Sequence, residues 1–79
     1  MAGKKLYKLI SYGDDEDLIF YAKLSDRDVK MINANIYGIY NAEYTINTID
    51  GEEIEIGIID TIIQVEEKGG YVNELHRAL

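Results

Sequence analysis

Two apolar runs open the chain, Leu6 to Tyr12 and Leu18 to Leu24, separated by the polar stretch Gly13-Asp14-Asp15-Glu16-Asp17. Runs of this length, rich in Leu, Ile, Phe and Tyr and bounded by Gly and Asp, predict two strands joined as a hairpin. The period then changes. Val29, Ile32, Ile36 and Ile39 recur at helical spacing, Ser25 stands where an N-cap belongs, and Asp26 and Asp28 fall in the first turn. An Ncap serine accepts from an otherwise orphaned backbone N–H, and acidic groups suit the positive end of the helix dipole. The spacing therefore predicts a short helix from 26 to about 36, with Asp28 at N3 making an imperfect capping box, since the usual partner there is Glu or Gln. Gly38 and Asn41 bracket its end.

The segment from Tyr44 to Ile58 contains two alternating runs around Asp50-Gly51, and side-chain faces decide its register. A two-residue Asp-Gly loop would set Ile46 against Glu55 and Asn47 against Ile54, mixing apolar and charged groups on one face. A three-residue loop, Ile49-Asp50-Gly51, pairs Ile46 with Ile54 and Tyr44 with Ile56. Thr45 and Asn47 then share the opposite face with Glu53 and Glu55. The expected turn is type I followed by a bulge, with Gly51 in the left-handed region where glycine costs least. Thr61 to Glu66 reads as a fifth strand, with Asp60 at the bend before it. Gly69-Gly70 breaks the pattern, and Tyr71, Val72, Leu75 and Leu79 recur at the spacing of a short C-terminal helix whose last turn holds His76 and Arg77.

The order β-β-α-β-β-β-α defines an α+β fold: a small, mostly antiparallel sheet of about five strands, one packed helix and a short C-terminal helix. A partly closed small β-barrel is the alternative. The doublets Ile58-Ile59 and Ile62-Ile63 offer apolar groups to both sides of the sheet, so Ile59 and Ile62 are candidates for an exposed surface through which copies assemble.

A length of 79 residues provides for a single domain, 1–79, with 47% of residues apolar and isoleucine prominent among them. There is no Cys, hence no disulfide framework, thiolate nucleophile or Cys-ligated zinc, and a reducing cytoplasm is the expected location. No stretch has the apolar length of a membrane span, and Met1-Ala2-Gly3-Lys4-Lys5 leads into no signal-peptide core. The bias toward Ile, Asn, Tyr and Lys matches AT-rich coding, as in low-GC bacteria and their phages; a phage product would reside in the host cytoplasm.

Charge adds the strongest functional hint. The net charge is −7. Acidic and basic groups balance through residue 40, so the excess lies in the second half: Glu43, Asp50, Glu52, Glu53, Glu55, Asp60, Glu66, Glu67 and Glu74 against Lys68 and Arg77. Such a field repels phosphate backbones and steers basic partners, which disfavours direct nucleic-acid binding and favours a basic protein surface.

Chemistry has little to work with. His76, the only histidine, lies near the chain end, no P-loop or G-x-G-x-x-G is present, and the expectation is a protein with no enzymatic activity and no cofactor. Asp14, Asp15, Glu16 and Asp17 lack the alternating ligands and central glycine of a calcium loop, so no metal site is expected; they read as a solvated turn or an acidic contact knob. Glu52, Glu53 and Glu55 form the acidic face of the second hairpin. Tyr37, Tyr40 and Tyr44 beside it are candidate contact residues, since tyrosine joins apolar area to a polar tip. The leading expectation is a small acidic inhibitor of a basic nucleic-acid-processing or defence-system protein. A homo-oligomeric assembly protein is the second reading and a small-molecule binder the third.

Overall fold

The computed structural model describes residues 3–39, 43–68 and 71–74. Strand β1 (Lys5–Ser11) pairs antiparallel with β2 (Leu18–Leu24), and helix α1 (Asp26–Ile36) follows at once. Strands β3 (Thr45–Asn47) and β4 (Glu53–Glu55) form a separate hairpin that leads into a single 3₁₀ turn at Ile56–Ile58. Strand β5 (Thr61–Lys68) returns beside β1, and β6 (Tyr71–Glu74) pairs with β5. The result is a four-stranded antiparallel sheet ordered β2-β1-β5-β6 and a two-stranded sheet β3-β4. This is the α+β architecture expected from the pattern, and the described strands close no barrel.

Both ends of α1 are fixed locally. Ser25 Oγ accepts from the Asp28 N–H at 3.2 Å and Asp28 Oδ2 accepts from the Ser25 N–H at 3.3 Å, so the capping box forms with aspartate at N3. At the other end the Gly38 N–H reaches the Asn35 carbonyl and the Ile39 N–H the Ala34 carbonyl, with Gly38 at φ +76°. These two bonds define a Schellman stop, which needs a residue at home in the left-handed region.

One face of the main sheet packs against α1 and the second hairpin, while Leu6 and Val65 are buried on the other. Tyr7, Leu9, Ala22 and Leu24 point toward Ile32 of α1 and toward Ile46, Ile54, Ile56 and Ile59, with Phe20, Val29, Met31 and Ile62 packed around them. Leu9, Ile32 and Ile56 are fully enclosed, and each such side chain contributes roughly 1.5–3 kcal/mol by leaving water. Ties between elements complete the arrangement. The Ile49 N–H at the tip of the β3–β4 hairpin donates to the Tyr21 carbonyl on the outer edge of β2 at 2.8 Å. Asn35 Nδ2 donates to the Ile56 carbonyl at 3.2 Å. The Asp60 N–H donates to the Ile10 carbonyl, while Asp60 Oδ2 accepts from the Tyr12 N–H.

Two expectations are corrected. Residues Tyr71–Glu74 are a strand, so no C-terminal helix starts at Tyr71; residues 75–79, including Leu75, His76, Arg77 and Leu79, lie outside the described residues. Lys68 pairs with Tyr71 across Gly69-Gly70, and a Gly-Gly dipeptide between two such runs is a hairpin signal that outweighs one turn of helical spacing. Second, Ile59 and Ile62 are not exposed. Ile59 is 2% accessible, and Ile62 sits opposite Leu9 on the core face. Of the first doublet only Ile58, the last residue of the 3₁₀ turn, faces outward, while Ile59 joins the core.

Candidate functional site

The β3–β4 hairpin is built from an inner face and an outer face. Ile46 stands opposite Ile54, both buried, and the flanking pairs Thr45–Glu55 and Asn47–Glu53 face solvent. This is the three-residue-loop register. Its turn has the hydrogen bonds of a type I turn with a bulge: the Gly51 N–H donates to the Thr48 carbonyl at 3.0 Å, the Thr48 N–H to the Glu52 carbonyl at 2.8 Å, and Gly51 has φ +89°. Buried Thr48 braces the loop from beneath, its Oγ1 accepting from the N–H groups of Asp50 and Glu52. Thr45 Oγ1 donates to Glu53 Oε2 at 3.1 Å, orienting that carboxylate along the outer face.

Glu53 and Glu55 therefore project from one rigid surface about 7 Å apart, two residues along a strand, with exposed Asp50 and Glu52 continuing the negative charge around the turn. Nothing local neutralises them through sequence, because no Lys, Arg or His occurs between Lys30 and Lys68. Asp14, Asp15, Glu16 and Asp17 are likewise exposed, but on the β1–β2 loop. The two acidic groups belong to different elements.

The tyrosines separate. Tyr44 is half-buried against the core, and its hydroxyl donates to Asp28 Oδ1 at 2.7 Å. Tyr37 is 74% exposed just past the far end of α1, nine positions along from Asp28, or about 13 Å of helix. Tyr40 lies outside the described residues. No shared contact surface links Tyr37 with Tyr44; Tyr44 is a structural tie, a role foreshadowed only by its alternation with Ile46.

That tie shifts two acidities. Burial pushes the Asp28 carboxyl up, but hydrogen bonds from the Tyr44 hydroxyl and from the Ser25 backbone and side chain, with the nearby Lys4 charge, outweigh it and hold the group below the ordinary carboxylate range. The same bond raises the Tyr44 phenol, helped by burial and by the Asp28 charge and opposed by Arg27. Tyr7 is raised by burial and then by Asp26.

A cleft of about 210 Å³ opens beside the tie, lined by Lys4, Lys23, Leu24, Asp28, Tyr44 and the β3 residues Thr45, Ile46 and Asn47. It is smaller than the roughly 300–1,000 Å³ of most small-molecule sites. Among the described residues no group of three or more His, Asp or Glu side chains is placed to hold a metal ion, and no helix is long and apolar enough to cross a membrane. Comparison with protein-family models, with curated proteins and with solved structures finds no match.

Proposed function

We propose that this protein binds a basic protein surface through the outer face of the β3–β4 hairpin, with Glu53 and Glu55 at the centre and Asp50 and Glu52 at the rim. The observation that carries the reading is the registered pair Glu53 and Glu55, both exposed on a strand whose other side is anchored by Ile54. An anchored carboxylate pair loses less freedom on binding than carboxylates on a mobile loop, and uncompensated negative charge accelerates encounter with a cationic groove. The partners this favours are nucleic-acid-processing or defence-system proteins, whose grooves otherwise hold phosphate. Occupying such a groove inhibits it. An origin in a phage or mobile element of a low-GC bacterium is compatible with the residue bias.

The test is affinity capture from a low-GC bacterial lysate, followed by titration of the purified captured protein. The expected partner is basic, released by raised salt and displaced by duplex DNA. Glu53→Lys with Glu55→Lys should weaken it at least tenfold while leaving the thermal transition in place. Undiminished affinity in the double variant overturns the reading.

A further inference from the structure

Strands β3 and β4 form a sheet of their own, so each has an outer edge, and the alternation of hydrogen bonds decides which residues supply it. The Thr48 N–H donates to the Glu52 carbonyl, and the Ile56 N–H donates to the Tyr44 carbonyl at 2.9 Å. Both pairs are therefore of the hydrogen-bonded kind, as is Ile46–Ile54 midway between them, and Thr45–Glu55 and Asn47–Glu53 are not. Backbone groups of the last four residues point away from the centre of the hairpin, Thr45 and Asn47 to one side, Glu53 and Glu55 to the other. The Glu55 carbonyl is taken by the 3₁₀ turn, for which Glu55 is the N-cap. The Glu53 N–H, the Glu53 carbonyl and the Glu55 N–H remain, and none of the three has a partner among the described residues.

Two other edges are occupied or enclosed. The outer edge of β2 receives the Ile49 N–H at the Tyr21 carbonyl, and the β3 edge faces the cleft bounded by Lys4, Lys23 and Leu24. On β4 the open backbone groups belong to the same two residues whose carboxylates stand on the outer face, with Thr45 Oγ1 on one Glu53 oxygen. An open edge accepts an extended chain, and the side chains along it select which one. Pairing with β4 of a second copy would set carboxylates against carboxylates, which is destabilising. A segment with basic residues at alternate positions instead places one opposite Glu53 and the next opposite Glu55, on the same face.

We infer that the hairpin takes up its partner by strand addition: an extended segment of pattern basic-x-basic pairs along β4, its backbone bonded to Glu53 and Glu55 and its basic side chains on their carboxylates. The inference rests on the proposed reading of the acidic face and specifies the element of the partner that meets it. Neighbouring strands lie about 4.8 Å apart, so side chains directly opposite on one face are within reach of an ion pair. The residue between the two basic ones turns to the Ile54 side. Backbone bonds hold the segment in register, and the two carboxylates choose its sequence.

A capped seven-residue peptide with lysine at its third and fifth positions, valine between them and threonine elsewhere tests this against the full chain by calorimetric titration at low salt. The wild type should bind it at least tenfold more tightly than the same peptide with glutamates in place of the lysines, and Glu53→Lys with Glu55→Lys should reverse that preference. Binding should slow exchange of the Glu53 and Glu55 amides and leave that of Asn47, on the β3 edge, unchanged. N-methylation of the central valine and of the second lysine blocks opposite edges of the peptide, so one of the two should cost at least tenfold and the other little. No binding of the lysine peptide, unprotected Glu53 and Glu55 amides, or equal effects of the two methylations overturns strand addition. The broader reading fails separately: it falls if the captured basic protein ignores the double charge reversal, and it stands without strand addition if that protein responds while the peptide shows none of these edge effects.

Discussion

Tyr44 donates its hydroxyl to Asp28 Oδ1 at 2.7 Å, while the other oxygen of the same carboxylate accepts from the Ser25 N–H at 3.3 Å. One side chain thereby closes the helix cap and fastens the second hairpin to the first turn of α1. Removing the hydroxyl leaves the ring in place but takes away a hydrogen bond to a charged acceptor. Tyr44→Phe should lower stability by about 1 kcal/mol in urea unfolding. It should also raise the Asp28 titration midpoint, followed by the carboxyl carbon shift in NMR.

The lowered acidity constant of Asp28 makes a pH prediction with a definite sign. In the folded protein the carboxyl releases its proton at lower pH than in the unfolded chain, so the unfolded state binds more protons in the interval between the two values. The stability contributed is fully present above the ordinary carboxylate range and is lost as pH falls through the folded value. The wild type should therefore lose more stability than Asp28→Asn when urea midpoints at neutral pH are compared with those near pH 3, close to the lower end of carboxylate titration. Relief of the net negative charge acts the other way in both proteins and cancels in the comparison.

Most of this architecture is legible where a local signal and a burial signal agree. Ser25 with Asp28, and Gly51 with the Ile46–Ile54 match, each combine turn or cap chemistry with a consistent apolar face, and the structure has both. Legibility fails where the two conflict. Ile58-Ile59 looks like a strand leaving one side chain on each face, but a 3₁₀ turn intervenes, and its one local signal is Gly57 inside an otherwise apolar run. The acidic outer face of the hairpin follows directly from register. The role of Tyr44 does not, because its partner Asp28 is sixteen positions away and only the packing of hairpin on helix brings them together.

Gly51 and Gly38 both have positive φ, at +89° and +76°, and both have open space where a Cβ would stand. A substitution there costs backbone strain without steric collision, so Gly51→Ala and Gly38→Ala should each destabilise by about 1 kcal/mol. Gly13 is a different case. A Cβ there runs into the Glu16 carbonyl, and the β1–β2 loop must open to admit it. Gly13→Ala should increase amide exchange from residue 13 to 17, while the Gly51 and Gly38 variants should leave that loop unchanged.

Thr48 offers the sharpest test of how the acidic face is held. Its side chain is buried, yet its oxygen accepts from both the Asp50 N–H at 3.3 Å and the Glu52 N–H at 3.0 Å. Valine matches its shape and keeps the apolar contacts, so Thr48→Val removes only the acceptor and leaves two turn N–H groups without it. Those groups sit at an exposed turn where water can reach them, which limits the expected loss to about 1–2 kcal/mol. Thr48→Ser keeps the acceptor and gives up one methyl, about 0.8 kcal/mol when fully buried. If the hydroxyl fixes the turn, Val should speed exchange of the Asp50 and Glu52 amides and loosen the Gly51 bulge, whereas Ser should preserve their protection at comparable stability. Because Glu53 and Glu55 inherit their direction from this turn, Thr48→Val should also weaken the proposed binding of a basic partner without changing any charge. Equal amide protection in the Val and Ser variants would assign the burial of Thr48 to packing alone.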